Sequence, residues 1–334
     1  MVTCLSNLIG IRGYNCGADT VPDSVYYIND LAGIGIKEAD AAMDNEVKTG
    51  YDLLQQKIDI AGDLIANNMR TYFNPRYKGG SIVANHTIGI WRTDRATSAA
   101  AATYLIGKNF YMSLSEYLEF NITKVGLMVD TTADVDVYVY DLISDTLLDT
   151  ITVPCVAGVP SYVDVSKVYK NLGQKLNLFI GYAATFASYK TNMTNGSCVT
   201  CRGYGYSNPY INVNSAKVLS ADDKIEANLD PNSNNDGLSI TYSINCTFEP
   251  FICTNKILLA EAIWYKAGAL VAEELKFSKR FNSVVTLYKT DATELITNYE
   301  ARSQMALNTV LQNMRLPDNV CFDCKKKVKL SLWP

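Results

Sequence analysis

The chain has almost no histidine, and this absence limits its chemistry more than any other feature of its composition. His86 is the only histidine in 334 residues, so a histidine-based metal site or a Ser-His-Asp triad has almost nothing to be built from. Charged residues are also sparse, at 19%, and the net charge is -4. A protein that binds a nucleic-acid backbone needs a basic surface, which this composition does not supply. The composition therefore favours a structural or binding protein over an enzyme.

Long hydrophobic runs are absent as well. No stretch of about 18 residues is both apolar and uncharged, which is the length that a membrane-spanning helix requires. The best candidate, 257–275, carries four charged residues, so it predicts an amphipathic helix. The chain begins Met-Val-Thr-Cys-Leu-Ser, without a basic region followed by an apolar one, and this start predicts no secretory signal. No membrane partner is expected.

The cysteines allow several interpretations: free thiols, disulfides or a metal site. Nine cysteines, an odd number in a chain of this size, predict reduced thiols with a packing role in a cytoplasm rather than a disulfide framework. Two CxxC pairs nevertheless exist, Cys198 with Cys201 and Cys321 with Cys324. Together they could form a Cys4 zinc site, but the pairs are far apart in the chain and fall in different predicted regions. A metal is therefore not favoured, these four remain the candidates for one, and no cofactor is expected.

Two other possible sites are better explained by ordinary structure. Asn232, Asn234, Asp236 and Gly237 resemble the first half of a calcium-binding loop, but Ser243 stands where the bidentate Glu is needed, so a polar turn is predicted. No Gly-x-Ser-x-Gly, phosphate loop or dinucleotide motif accompanies His86, which is predicted to be a loop or strand residue. The lysines within 325–329 predict a solvated tail.

The hydrophobic period divides the chain into helical and strand regions. From Ile36 to Tyr72, apolar residues recur mostly at steps of three or four, which predicts one long helix that ends before Pro75. Two more helices are predicted at 257–275 and 292–314. Asp291, with Glu294 three residues later, resembles a capping box at the start of the last helix.

Between 81 and 248 the period is two. Val135, Val137 and Val139 alternate with polar residues, and the Ser144-Asp145-Thr146 stretch predicts a turn. Several short strands of this kind predict an α+β fold in which a jelly-roll-like antiparallel β-sandwich is inserted into a helical layer of three main helices. The predicted boundaries are an extended N-terminal assembly segment at 1–35, a helical domain at 36–78 and 254–316, the inserted sandwich at 79–253, and a C-terminal tail at 317–334.

The N-terminal segment is rich in glycine and low in charge, and it lacks any helical period. It nevertheless carries many large apolar groups with no evident way to bury them within their own domain. Segments of this kind are often ordered by a neighbouring subunit, so we expect residues 1–35 to contact another chain rather than their own domain. The expected interface residues are Ile9, Ile11, Arg12, Tyr26, Tyr27, Ile28, Leu31 and Ile34.

The same segment resembles the opening of a family of structural proteins from tailed phages. Members typically show glycine-isoleucine-arginine-glycine and then tyrosine-isoleucine-asparagine-aspartate-leucine-proline-glycine-isoleucine before a long helix. This chain has Ile11-Arg12-Gly13, then Cys16, then Tyr27-Ile-Asn-Asp-Leu-Ala-Gly-Ile34, with Ala32 in place of the proline. Three later stretches, 175–182, 280–283 and 315–324, extend the similarity over nearly the whole chain.

The resemblance is to the ring, or portal–tail adaptor, proteins of crAss-like bacteriophages of gut Bacteroidales hosts. It implies a virion component that stacks on the portal as a dodecameric ring, is made in the host cytoplasm and has no enzymatic role. The implied partners are copies of the same chain, the portal protein and other tail or collar proteins, with DNA only as passing cargo in the channel. The motifs identify the group but not one position in the tail.

Two other hypotheses remain open. In the first, the sandwich is the glycan- or receptor-binding module of a fibre or spike, with Tyr204, Tyr206 and Tyr210 as exposed aromatic contacts. In the second, the chain is a thiol redox enzyme that uses one of its CxxC pairs.

Overall fold

A computed structural model gives the fold of the chain. It describes residues 3–13, 22–42, 49–91, 97–98, 104–112, 116–170, 175–189, 191–192, 205–207, 210–220, 226–231, 237–277, 286–317 and 321–322. The chain divides into two compact units. We call residues 1–78 with 248–334 the helical unit, and residues 79–247 the sheet unit. The described residues include no helix that is both long enough and apolar enough to cross a membrane.

The helical unit contains five α-helices within its described residues. They are α1 (Ile36–Ala42), α2 (Gly50–Phe73), α3 (Glu249–Thr254), α4 (Lys256–Phe277) and α5 (Thr286–Asn313), and short 3-10 turns cover Thr3–Leu5 and Ile28–Asp30. Helices α2 and α5 both pack against α4, whose buried face is made largely of small and branched residues such as Ala260, Ile263 and Val271.

The single long helix predicted from Ile36 to Tyr72 is wrong, because Thr49, within that range, is not helical. Thr49 has an extended backbone, with φ -96° and ψ 164°, and it caps α2 through a reciprocal pair of contacts with Asp52. The Thr49 hydroxyl accepts the Asp52 N–H, while the Asp52 carboxylate accepts the Thr49 N–H at 2.8 Å. These contacts satisfy N–H groups that a helix start leaves without partners.

The other predicted helix boundaries also need correction. Helix α5 begins at Thr286, so position 291 lies inside the helix rather than at its start. Residues 248–253, assigned from sequence to the sandwich, belong to the helical unit, where Phe251 and Ile252 of α3 are buried. Pro250 stands in the first turn of α3, where a missing N–H costs nothing and the fixed φ suits a helix.

The sheet unit is built from antiparallel strands. They are β1 (Gly80–Ile88), β2 (Ile90–Trp91), β3 (Thr97–Ser98), β4 (Leu105–Met112), β5 (Leu118–Leu127), β6 (Ala133–Asp141), β7 (Thr146–Cys155), β8 (Ser161–Tyr169), β9 (Leu176–Ala183), β10 (Ser188–Tyr189), β11 (Thr191–Asn192), β12 (Gly205–Ser207), β13 (Asn212–Val218), β14 (Asp230–Pro231) and β15 (Leu238–Cys246). A 3-10 turn covers Glu226–Asn228.

Most of the strands form two sheets. A four-stranded sheet has the order β1-β15-β5-β8, and a seven-stranded sheet has the order β12-β13-β4-β9-β6-β7, with β14 also paired to β13. Aromatic rings from both sheets meet in the core of the unit. Phe110 of β4 lies 5.2 Å from Phe120 of β5 and 6.0 Å from Tyr242 of β15 between ring centroids. All three residues are fully buried.

The predicted strand around Val135 is confirmed. Val135, Val137 and Val139 of β6 are all buried, while the polar residues between them are not. The predicted turn at 144–146 is confirmed as well: Asp141 accepts the Ile143 N–H and the Ser144 hydroxyl. Asp145 has φ +49°, a conformation that Asp tolerates better than most residues.

Candidate functional site

The N-terminal segment forms a defined structure, which we call the clasp and define as residues 3–13 together with 22–34. Its two stretches pair side by side. The Gly10 N–H donates to the Tyr26 carbonyl at 3.0 Å, and the Ile28 N–H donates to the Gly10 carbonyl at 2.9 Å. The Asp23 N–H donates to the Asn7 carbonyl at 2.9 Å. Several backbone groups of this glycine-rich segment therefore have partners within the segment itself.

Arg12 and Asn29 hold the far end of the clasp together. The Asn29 side-chain amide accepts the Arg12 N–H at 3.0 Å and donates to the Arg12 carbonyl at 2.8 Å. The Arg12 guanidinium pairs with Asp30 at 3.3 Å and lies 4.0 Å from the centroid of the Tyr27 ring. Arginine combines a bidentate donor with a flat face that stacks on an aromatic ring. The two stretches that carry the family resemblance thus contact one another.

Gly10 and Gly13, which flank Ile11-Arg12, each have a structural role in the clasp. Gly13 follows Arg12 with φ +76°, a region that residues with a Cβ rarely adopt. Gly10 has a different constraint, because a Cβ at that position would lie 2.9 Å from two carbons of the Tyr27 ring. The glycines on either side of Ile11-Arg12 therefore let the chain approach Tyr27 and then turn away.

Helix α4 provides the surface on which the clasp lies. The Trp264 indole N–H donates to the Tyr27 carbonyl at 2.7 Å, and its ring lies 4.9 Å from the Tyr26 ring. Gly268, one turn further along α4, leaves space for Leu31, since a Cβ there would overlap the Leu31 Cδ1 atom. A hydrogen bond and a close steric fit thus set the position of the second stretch on α4.

Helices α2 and α5 complete this surface. The Tyr299 hydroxyl of α5 donates to the Ala32 carbonyl at 2.8 Å. On α2, a Cβ at Gly62 would be in ordinary contact, at 3.6 Å, with Leu5. The clasp therefore touches all three of the long helices in its unit.

A disulfide and an ion pair tie the clasp to the short helix α3 and to the start of α4. Cys4 is bonded to Cys253 across a sequence separation of 249 residues, with the two Cα atoms 5.7 Å apart. Lys256 pairs with Asp23 at 2.6 Å. A crosslink over so long a loop restricts the unfolded chain more than the native one.

Burial changes the electrostatics of the tyrosines at this junction. The pKa of Tyr26 is raised by desolvation, then by the negative charge of Glu261 and by Tyr265. The pKa of Tyr299 is also raised, again chiefly by desolvation. Both hydroxyls therefore stay protonated at neutral pH, and Tyr299 can act as a hydrogen-bond donor to the clasp.

The structure corrects the expectation that the N-terminal segment lacks a partner within its own domain. Of the eight predicted interface residues, the five aliphatic ones are buried, namely Ile9, Ile11, Ile28, Leu31 and Ile34. Tyr26 and Tyr27 are half-buried, and the Arg12 side chain is 50% exposed. The apolar residues of the segment follow no helical period, and their partners lie on helices far away in sequence. Contact between the exposed part of the clasp and a second chain stays a prediction.

The expectation of reduced thiols is wrong for four of the described cysteines. Cys4 and Cys253 form the disulfide above, and Cys246 and Cys321 are also disulfide-bonded. Cys155 is free and buried, and desolvation followed by Asp134 raises its pKa to about 11. Cysteine number and chain length gave no sign of these bonds, because bonded residues come together only in the folded chain.

The proposed metal and glycan residues lie largely outside the described residues. Cys198, Cys201 and Cys324 fall there, and Cys321, being disulfide-bonded, is not a free thiolate. No group of three or more His, Cys, Asp or Glu side chains suited to a metal occurs among the residues that the structure describes.

Of the other residues singled out in the sequence, some lie within the described residues and some do not. Asn232, Asn234 and Asp236 of the calcium-like loop lie outside the described residues, as does Tyr204. Tyr206 falls in β12, but its side chain is not described, and Tyr210 is half-buried. His86 lies in β1 with its ring 5.6 Å from the Tyr242 ring, and desolvation lowers its pKa.

Comparison with protein-family models gave no match, and comparisons with curated proteins and with solved structures gave none of significance. The functional argument therefore depends on the chain itself. Sequence reasoning singled out the clasp but missed the residues that position it, above all Asn29, Trp264 and Tyr299. Trp264 carried a signal, since a tryptophan on a helix face places an N–H that needs a partner when it is buried. The contacts to α2, α4 and α5 hold the clasp in a fixed position on its own unit.

Proposed function

We propose that the chain is a structural subunit of a virion ring in the portal–tail region of a tailed phage, related to the ring proteins of crAss-like phages. In this proposal it has no catalytic role. It assembles with copies of itself, twelve by the resemblance, and with the portal protein and other tail or collar proteins. DNA passes through the channel as cargo.

The observation that carries the proposal is the contact between the two stretches of the family motif. Arg12 of the first stretch bonds to Asn29 and Asp30 of the second and stacks on Tyr27. A resemblance that rests on residues which bond to one another is stronger than one that rests on scattered identities. The motif has a physical role, because it closes the clasp over α4.

The helical unit also carries apolar side chains that are exposed to solvent among its described residues. Ile60 and Leu64 are exposed at neighbouring positions of one face of α2, and Ile257 and Leu258 are exposed at the start of α4. Val25, at the outer surface of the clasp, is 81% exposed. Heterologous contacts between unlike surfaces close into a ring when the rotation between subunits divides the circle. In the proposal, neighbouring copies cover these side chains.

The finer fold assignment belongs to the same proposal. The order β1-β15-β5-β8 in one sheet, with β4-β9-β6-β7 as four successive strands at one end of the other, is the order expected for two Greek keys rolled into an eight-stranded jelly roll. In this view β13 is a strand added at the β4 edge. Helices α2, α4 and α5 are the three main helices, and they form the layer that packs between neighbouring subunits.

Native mass spectrometry of the purified full-length chain tests this proposal. We expect a closed oligomer, and we expect Ile60→Lys with Leu64→Lys to shift it towards monomer because two charges would be buried in the contact. Thr71→Lys, at an exposed position near the end of the same helix, is the control and should leave assembly unchanged. A wild-type chain that stays monomeric at high concentration, alone and with its portal protein, would overturn the proposal.

A further inference from the structure

The outer face of the four-stranded sheet contains a polar groove that the proposed ring function does not use. It has a volume of about 460 Å³ and is lined by Asn85, Thr87, Thr123, Lys124, Tyr162, Asp164 and Thr241. These residues come from all four strands of the sheet, β1, β15, β5 and β8. The groove is thus built on paired strands, which position side chains more firmly than loops do.

A single row of side chains crosses the floor of the groove. In the strand register Thr87 faces Thr241, Thr241 faces Lys124, and Lys124 faces Asp164. The Thr87 and Thr241 hydroxyls are 2.9 Å apart, and Lys124 pairs with Asp164 at 3.2 Å. Three strand spacings of about 4.8 Å make this row about 14 Å long. It presents hydroxyls at one end and a matched pair of charges at the other.

Irregularities in three strands bring extra side chains to this row. Thr241 pairs with Lys124 while Tyr242 pairs with Ile122, so Thr123 is an additional residue in β5. β1 is similarly irregular between Val83 and His86, where Asn85 has φ +45°. β8 contains a further shift opposite the step from Ile122 to Lys124. Bulges and left-handed non-glycine residues are enriched where a strand re-aims side chains for function.

An aromatic platform closes one end of the groove. The Tyr162 side chain is 50% exposed, and its ring lies 4.9 Å from the Trp91 ring at a steep angle. The Trp91 indole N–H donates to the Gly237 carbonyl at 3.3 Å, which fixes the ring. Both rings lie over Gly126, where a Cβ would be 2.8 Å or less from each of them. The glycine lets the rings lie directly on the backbone of the sheet.

We propose that this groove binds a neutral oligosaccharide. The faces of sugar rings carry C–H groups that pack on an aromatic ring, and their hydroxyls both donate and accept hydrogen bonds. Tyr162 supplies the ring, the three threonines and Asn85 supply groups that donate and accept, and Asp164 and Lys124 supply one strong acceptor and one strong donor. The charges of the groove cancel, which disfavours an acidic ligand, and the polar lining disfavours a purely apolar one.

The test uses the full-length chain on an array of neutral, sialylated and sulfated oligosaccharides, followed by titration of the bound neutral glycan. We expect Tyr162→Ala to weaken binding by roughly tenfold or more, the loss that corresponds to one aromatic contact. Glycine at position 85 can adopt the left-handed backbone conformation that Asn85 has. Asn85→Gly therefore removes only the side-chain amide, and it should also weaken binding. Tyr104→Ala removes an exposed tyrosine outside the groove and should bind as the wild type does.

Thermal unfolding of each variant shows whether it is folded. The proposal is overturned if the wild-type chain retains no neutral glycan, or retains only sialylated or sulfated ones. Equal binding by folded Tyr162→Ala and by wild type would also overturn it. A third outcome would overturn it as well: the wild-type chain binds no glycan, and Tyr162→Ala changes the oligomeric state. In that case a second copy of the chain would occupy this face.

Discussion

Two glycines in the middle of long helices offer a matched test of how the clasp is held. Gly268 of α4 faces Leu31, and a Cβ there would overlap the Leu31 Cδ1 atom and lie 3.2 Å from the Tyr299 ring. Gly62 of α2 faces Leu5, but a Cβ there would meet it at an ordinary 3.6 Å. Both sites are buried within helices. Only one of them has space for a methyl group.

The structure gives the sign and the rough size of each change. Replacing a helical glycine by alanine stabilises a helix by up to about 1 kcal/mol, and we expect Gly62→Ala to show a gain of that order. Gly268→Ala has the same helical gain, but overpacking a buried site costs about 1–3 kcal/mol. The unfolding free energy of Gly268→Ala should therefore be about 1–3 kcal/mol below that of Gly62→Ala, by the same overpacking cost.

Urea unfolding followed by far-UV circular dichroism measures both variants. A double-mutant cycle with Leu31→Ala makes the test specific, since shortening Leu31 removes the overlap. We expect the double variant to be more stable than the sum of the single changes predicts, by about 1 kcal/mol or more. If Gly268→Ala were as stable as Gly62→Ala and showed no coupling to Leu31→Ala, the clasp would not lie on α4 as described.

Three further predictions concern single groups. Asn29→Ala should lower the unfolding free energy by about 1–2 kcal/mol, because two hydrogen bonds to Arg12 are lost. Asn68→Ala, at an exposed position of α2, is the control and should not lower it. Equal unfolding free energies of the two variants would contradict the role of Asn29. Cys155 is buried and its pKa is raised to about 11, so it should resist iodoacetamide at neutral pH until the chain unfolds. Peptide mass spectrometry measures this, and labelling of Cys155 in the native chain would contradict its burial. Desolvation, then Glu116, raises the pKa of Tyr117 to about 12. The contribution of this residue to stability is therefore complete below the ordinary pKa near 10 and is lost as pH rises towards 12. In a pH titration, tyrosinate absorbance of the folded chain should rise at higher pH than that of the unfolded chain, and coincident titration curves would refute this.

Local patterns in the sequence predicted local structure well. The alternation around Val137 and the turn at Asp145 both rest on neighbouring residues, and both are confirmed. The break at Thr49 was also readable, since Thr49 and Asp52 have the spacing of a capping box. The apolar stripe that runs through Met43 and Val47 concealed it, because a hydrophobic period can continue across a gap between two helices.

Long-range contacts were beyond the sequence. Tyr27 and Trp264 are 237 residues apart, and no period or motif connects them. Cys4 and Cys253 are also far apart in sequence. Neither the odd number of cysteines nor the chain length indicates that these two are bonded. The groove on the sheet depends on register shifts at Thr123 and Asn85, and a shift of this kind changes which face a side chain lies on without changing its neighbours in sequence.

The motif of the clasp shows how the two kinds of information combine. Sequence resemblance selected Arg12 and the stretch from Tyr27 to Ile34 without a physical reason for them. The structure supplies one, since Arg12 bonds to Asn29 and Asp30 while Leu31 and the Ala32 carbonyl meet α4 and α5. At position 32 only the carbonyl makes a described hydrogen bond, and a proline would keep that acceptor. Alanine can therefore stand where the resembled family has proline without the loss of that bond.

The central claim, that this chain is a ring subunit of a virion, is tested most directly on purified particles. The proposal requires a phage that encodes the chain. Mass spectrometry of its virions, with an electron-microscopy map of the portal vertex, measures both the presence of the chain and its arrangement. The account predicts the chain in the particles, arranged as a closed ring beside the portal with its clasp lying on its own α4. Particles that lack the chain, or a map that places it only in a fibre away from the portal axis, would contradict the account.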